Sequence, residues 1–227
     1  MSATDELHTA GELAKLYRDR FSPDELAGKR ELWQALYDGF FRRMISATDT
    51  VLDLGAGNCE FINACHASNK IAVDLNPETK RYARDAHVVL APSDRMNEIP
   101  DGSVDVVFTS NFFEHLPDKR ALVETLAECG RVLRGGGRLL VLMPNLRYVG
   151  HRYWDYFDHH LPLTHHSLAE GVTMAGFSVD RSIPRFVPYT VKDSPLKVRG
   201  RLVRLYLRLP VLWPLLGRQM FLAAHKP

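Results

Sequence analysis

Apolar residues fall into seven short runs separated by polar or glycine-bearing turns. Residues 50–54, 70–74, 87–90, 104–110 and 138–143 are almost continuously apolar, the pattern of strands covered on both faces. Residues 177–183 and 219–225 make two more. Between the strands the spacing becomes helical. Residues 60–66 start a helix directly after a glycine turn, and Asn76 caps one that opens on Pro77. Residues 121–133 form an amphipathic helix that Gly135-Gly136-Gly137 closes, and Thr164 to Ser167 caps a further helix that stops at Ala175-Gly176. Strand and helix in alternation predict an α/β fold, a doubly wound, Rossmann-like, mostly parallel sheet. Its ligand crevice lies at the strand carboxyl ends.

Residues 1–49 read as an N-terminal helical cap. Leu13, Leu16, Tyr17 and Phe21 recur at helical spacing, Ser22-Pro23-Asp24 breaks the chain, and Leu32, Trp33, Leu36, Tyr37, Phe40 and Phe41 line a second helix. Residues 50–227 then form one domain, carrying a basic insertion at 184–217.

The turn after the first strand reads Asp53-Leu54-Gly55-Ala56-Gly57-Asn58-Cys59-Glu60. Glycines at the exit of a buried strand permit positive φ or close contact between backbone and ligand, and the following helix aims its N–H groups over the strand end. That is the build of a nucleotide site. A dinucleotide-binding turn carries its third glycine where Glu60 stands, and a carboxylate there repels a diphosphate. Asp53 adds a second acid, so the pair suits a cationic ligand. Asp74 follows Gly55 by nineteen residues, near the spacing at which a carboxylate accepts hydrogen bonds from ribose hydroxyls.

These residues resemble the first motif of class I S-adenosylmethionine-dependent methyltransferases, D/E-x-G-x-G-x-G, with Cys59 in place of the third glycine. The resemblance covers roughly residues 48–183. It implies S-adenosylmethionine as cofactor, which carries a sulfonium and an ammonium and no phosphate, and a seven-stranded sheet with an antiparallel final strand. It also implies roles. Asp53, Gly55, Ala56 and Gly57 would cradle the cofactor, and Asp74, with Leu75 beside it, would take the ribose. Asp94 would meet the adenine amino group, Met96 the ring, and Arg95 would contribute backbone. Ser110 and Asn111 would touch the methionine part, while Tyr17, Arg20 and Phe21 would lie across the cofactor. Glu114-His115 would supply a base or brace the loop.

Composition narrows the partners. A chain of 227 residues with 45% hydrophobic residues suits one substantial core. A net charge of +2 is too mild to imply nucleic acid. Cys59, Cys65 and Cys129 lack metal-type spacing and fit a reduced, cytoplasmic protein; no signal-like start or bilayer-spanning run is present.

Residues 144–163 are rich in aromatics and histidine, with Tyr148, His151, Tyr153, Trp154, Tyr156, Phe157, Asp158, His159 and His160, and suit an acceptor pocket. Methyl transfer needs alignment above all, and an acceptor proton needs a base; His115, His160 and His165 are candidates, His115 or His165 foremost. No metal is expected, because adjacent histidines diverge in extended chain. The acceptor is expected to be an oxygen, less readily a nitrogen, of a small molecule or a glycan- or lipid-linked precursor. A binding protein that has lost transfer activity is the alternative, favoured by Cys59; a nicotinamide oxidoreductase is disfavoured by Glu60. In the insertion Arg201, Arg204 and Arg208 share one helical face, and Leu202, Tyr206 and Leu209 another. Residues 197–216 can lie on an anionic membrane or grip an anionic acceptor; a packed cap helix with solvated arginines and a dimer contact are the alternatives.

Overall fold

A computed structural model of the chain describes residues 23–189 and 200–227. Seven strands, β1 (Thr50–Leu54), β2 (Asn69–Asp74), β3 (His87–Leu90), β4 (Val104–Ser110), β5 (Leu133–Pro144), β6 (Ser178–Val187) and β7 (Gln219–His225), form one sheet in the order β3-β2-β1-β4-β5-β7-β6. The pairs from β3 across to β5 are parallel, and β7 runs antiparallel to both β5 and β6, as expected of the final strand. β1 and β4 are neighbours although β2 and β3 intervene in sequence. The winding reverses between them, and that reversal opens a crevice at the carboxyl edge.

Eight α-helices accompany the strands among the described residues: α1 (Pro23–Gly39), α2 (Glu60–Ala64), α3 (Thr79–Tyr82), α4 (Lys119–Val132), α5 (Leu146–Val149), α6 (His165–Met174), α7 (Gly200–Leu207) and α8 (Trp213–Leu216). Strand side chains alternate between two cores. Leu52, Val73, Val107, Leu139 and Val141 pack with Leu122, Leu126, Leu168 and Val172 of α4 and α6. Val51, Ala72, Val106, Phe108, Leu140 and Leu142 pack on the other face with Leu36, Phe61 and Val203 of α1, α2 and α7. There Phe40, Phe41, Phe61, Phe108, Phe186 and Phe221 interlock, and this aromatic layer seals α1 to the sheet.

Local chemistry sets the helix starts. Asp118 accepts the Ala121 N–H at 2.9 Å ahead of α4, and Thr164 with Ser167 forms a capping box ahead of α6. Three expectations need correction. The glycine run 135–137 opens β5 instead of closing a helix: Gly136 donates to the Lys226 carbonyl at 2.8 Å and Lys226 donates back to Gly137 at 2.9 Å, so the run pairs with the C-terminal segment. Asn76 accepts the Glu78 N–H at 3.0 Å, but it caps a turn that precedes α3. The insertion begins later than residue 184, since β6 continues to Val187. Tyr17, Arg20 and Phe21, with Lys192, Asp193, Lys197 and Arg199, lie outside the described residues. Cys59, Cys65 and Cys129 are free and buried. Among the described residues no helix is long and apolar enough to cross a membrane.

Candidate functional site

The turns after β3, β2, β1 and β4 bring Asp94, Asp74, Gly55 to Gly57, and Ser110 with Asn111 into one row along the carboxyl edge. Three strand spacings of roughly 4.8 Å make this row ~14 Å long, enough for a nucleoside joined to an amino-acid tail.

Backbone ties the middle of the row together. Gly55 (φ 71°) donates to the Val73 carbonyl at 2.9 Å, and Ala56 donates to the same oxygen at 3.1 Å. A Cβ on Gly55 would stand 2.6 Å from the Phe112 ring, so both the dihedral and the close approach demand glycine. Gly57 (φ 50°) donates its N–H to Asp74 Oδ2 at 2.7 Å, and Asn76 donates to Oδ1 at 2.8 Å. Burial raises the Asp74 carboxyl, while the N–H groups of Asn76 and Gly57 work against the rise. Each carboxylate oxygen keeps a second lone pair, so Asp74 could accept hydroxyl protons while bracing both turns. Leu75 is exposed beside it.

Cys59 sits at φ 59°, fully buried, with its thiol 3.7 Å from the Thr79 carbonyl. The third position of the motif thus needs a left-handed backbone, which glycine adopts freely and cysteine only with strain. Asp53 is 4% exposed on the α1 and α2 side of β1. Burial, with the Glu60 carboxylate adding to it, pushes the Asp53 carboxyl well above the usual range. Glu60 Oε1 lies 3.7 Å from Lys29 Nζ. The rise favours the neutral form of Asp53, so this group adds little charge to the turn; Glu60, facing Lys29, stands where a dinucleotide-binding turn has its third glycine.

On the adenine side one expectation fails. Met96 is 0% exposed and belongs to the core beneath the turn after β3, its N–H held by Glu128 Oε1 at 2.6 Å. Its side chain is packing, and no face is left for a ring. Asp94 is half-buried and Arg95 exposed on that turn. At the other end Asn111 takes φ 49°, donates its N–H to the Leu142 carbonyl at 2.9 Å and donates Nδ2–H to Ser110 Oγ at 2.9 Å. A groove of about 210 Å³ beside Asn58, Glu60 and Arg81 lies outside the row.

Beyond β4 the segment from Asn145 to His165 folds over the edge. The Glu114 carbonyl accepts the N–H groups of His160 at 2.8 Å and Leu161 at 3.0 Å, so the turn after β4 anchors that segment. The Glu114 carboxyl is buried, and burial, with Asp158 adding to it, pushes it up to about 8. His115 Nδ1 lies 2.8 Å from the Asp158 carbonyl oxygen and 3.4 Å from Asp158 Oδ2. A carbonyl only accepts, so Nδ1 carries the proton and Nε2 holds the lone pair. His159 Nδ1 likewise meets the Tyr153 carbonyl at 2.8 Å. Donor atoms of Glu114, His115 and His159 lie within 4.8 Å of one another, a set able to hold a divalent ion where none was expected.

His165 is arranged the opposite way. Buried Asn145 accepts the Arg147 N–H and donates Nδ2–H to the Pro184 carbonyl at 2.9 Å, which fixes its amide; Nδ2 then meets His165 Nδ1 at 3.1 Å. His165 Nδ1 is an acceptor and its Nε2 carries the hydrogen. Burial, then His166 and Arg147, lowers the His165 pKa and keeps the ring neutral. Sequence reasoning missed Asn145 and the partnership of Asp158 with His115.

Residues 52–141 match the model of a methyltransferase domain. This segment is similar to the methyltransferase domains of S-adenosylmethionine-dependent methyltransferases. A probable methyltransferase of this type from Mycobacterium tuberculosis is 38% identical over 101 residues, 42% of this chain and 35% of that one. The 27-O-demethylrifamycin SV methyltransferase of Amycolatopsis mediterranei is 33% identical over 107 residues, 42% of this chain and 38% of that one. The chain thus spans about a third of the length of the curated relatives it matches. An Archaeoglobus fulgidus S-adenosylmethionine-dependent methyltransferase has the same fold, with a TM-score of 0.65 at 24% identity over 87% of this chain and 94% of that one. S-adenosylmethionine fits the residues present: bare backbone at Gly55, a ribose-spaced carboxylate at Asp74 and Glu60 in place of a phosphate-binding glycine.

Proposed function

We propose that this methyltransferase moves the methyl group of S-adenosylmethionine to a hydroxyl oxygen of a small molecule or of a glycan- or lipid-linked precursor. The observation that carries the reading is His115, tied through Nδ1 to the carbonyl and carboxylate of Asp158 beside the end of β4. When bound, the cofactor supplies an electrophilic methyl on a sulfonium that leaves as a neutral thioether without an acid.

The chain's own residues then have three tasks. Asp74 holds the ribose hydroxyls, and Gly55, Ala56 and Gly57 let the cofactor lie on bare backbone. Ser110 and Asn111 steady the methionine part. His115 takes the acceptor proton at Nε2, and the Asp158 carboxylate offsets the positive charge that develops on the ring. A base placed in advance favours oxygen, since a hydroxyl must lose its proton while a neutral amine attacks with its own lone pair. His165 presents Nε2–H instead and orients the acceptor as a donor. Buried Tyr153 and His159 give the segment over the edge a fixed floor against which an acceptor can be aligned. The name of the Amycolatopsis relative, an enzyme of an O-demethyl small molecule, supports the oxygen reading.

The test is incubation of the purified chain with methyl-labelled cofactor and fractionated metabolite and lipid extracts. Label in an O-methyl product, strongly reduced by His115→Ala, is expected. Binding of S-adenosylhomocysteine with no transfer to any fraction would make the protein a cofactor-binding regulator instead.

A further inference from the structure

The insertion between β6 and β7 presents two apolar stripes, and only one is used. Val203 and Leu207 of α7 are buried, with Leu207 lying over Gly39 of α1. Leu202 and Leu205 point the other way, roughly 140° round the helix, and Leu209, Val211, Leu215 and Leu216 extend the outward set. These six are between 39% (Leu209) and 73% (Val211) exposed, far more than isolated surface leucines need. Arg201, Arg204 and Arg208 form the stripe between the two and are exposed. Beyond Asp193 the chain contains no acid at all.

This surface is held open. Tyr206 donates its hydroxyl hydrogen to the Phe186 carbonyl at 2.6 Å, and Trp213 Nε1–H donates to the Tyr206 carbonyl at 3.2 Å. Arg185 donates to the carbonyls of Leu215 at 2.7 Å and Gly217 at 2.8 Å. The outward leucines therefore cannot fold back into the aromatic layer beneath them.

We infer that residues 200–216 dock on the surface of an anionic lipid bilayer, the leucines entering the acyl boundary and the arginines reaching the headgroups. A helix of this kind binds by apolar area together with attraction to acidic lipid, and long arginine stems let the charge stay at headgroup level. The charge pattern disfavours a second copy. Two-fold symmetry would set arginine against arginine with no acid in the segment to pair them. The outward set also lacks the aromatic anchors typical of protein interfaces, because Trp213 is buried inward.

The experiment is co-sedimentation of the full chain with vesicles of phosphatidylcholine alone or mixed with phosphatidylglycerol. Binding only to the anionic vesicles, weakening with added salt, is expected. Exchanging Arg201, Arg204 and Arg208 for Gln should lower partition roughly a hundredfold, at about fivefold per arginine. The variant Leu205→Ser with Leu215→Ser should lower it with the arginines intact. S-adenosylhomocysteine affinity and thermal midpoint, measured on each variant, should stay at the parent values, which separates this inference from the methyltransferase reading. Equal binding to both vesicle types, or undiminished binding by either variant, would overturn it. So would a stable dimer that Leu205→Ser dissolves.

Discussion

The two ends of the crevice are held by different means. Around β1 and β2 the ties are backbone to backbone or backbone to a single carboxylate, as where Gly57 and Asn76 both donate to Asp74. Around β5 and α6 they are side chains reaching distant carbonyls: His115 to Asp158, His159 to Tyr153, Asn145 to Pro184. The first end is fixed by residue types that leave the backbone bare. At the second, chemistry depends on which partner each ring faces. His115 and His165 are the same residue with opposite proton placement, because one meets a carbonyl and the other an amide N–H.

That contrast breaks most sharply at Gly55. Alanine there would take an unfavourable dihedral and meet the Phe112 ring, so Gly55→Ala should cost about 3 kcal/mol of stability and abolish S-adenosylhomocysteine binding. Calorimetry and thermal melting read both. The acceptor end should instead separate binding from turnover. His115→Ala is expected to lower kcat by about 10²–10⁴-fold with cofactor affinity unchanged, whereas His165→Ala should cost less than about tenfold. Equal losses would erase the distinction drawn from their partners.

Glu114 sharpens the contrast through pH. Its folded carboxyl titrates near 8, above the ordinary value of 4.5, so its neutral form is the stable one. Stability from this group is complete below about pH 4.5 and declines as pH rises through about 8. Glu114→Gln should flatten that decline in thermal midpoint, and an unchanged slope would place the titration elsewhere. The smallest effect belongs to Cys59→Gly, which relieves a left-handed cysteine and removes a buried thiol. A net gain of about 1 kcal/mol, or ~3 °C in the midpoint, is expected.

Legibility in the sequence follows the same division. Four of the parallel strands are marked by apolar runs closed by polar turns, and β1, β3 and β4 begin and end at the residues their pattern implies. β5 was longer because its glycines pair with the C-terminal segment, a partnership ninety residues away that no local pattern carries. Asp74 was legible through its spacing from Gly55. Met96 was not, since an apolar residue after a strand reads alike whether it faces a ring or the core. Nor did the string of histidines disclose which one meets a carbonyl. The outward leucines of α7 share their spacing with any amphipathic helix, and only the burial of Val203 and Leu207 shows which stripe is spent on the core.

The central claim is a sulfonium cofactor, not a phosphorylated one, along the turns after β1 to β4. Calorimetric titration with S-adenosylhomocysteine, run beside NAD, tests it directly. One site per chain with micromolar affinity, lost in Asp74→Ala, and no heat with NAD is the predicted result. Silence toward S-adenosylhomocysteine at millimolar concentration, with saturable binding of NAD, would contradict it.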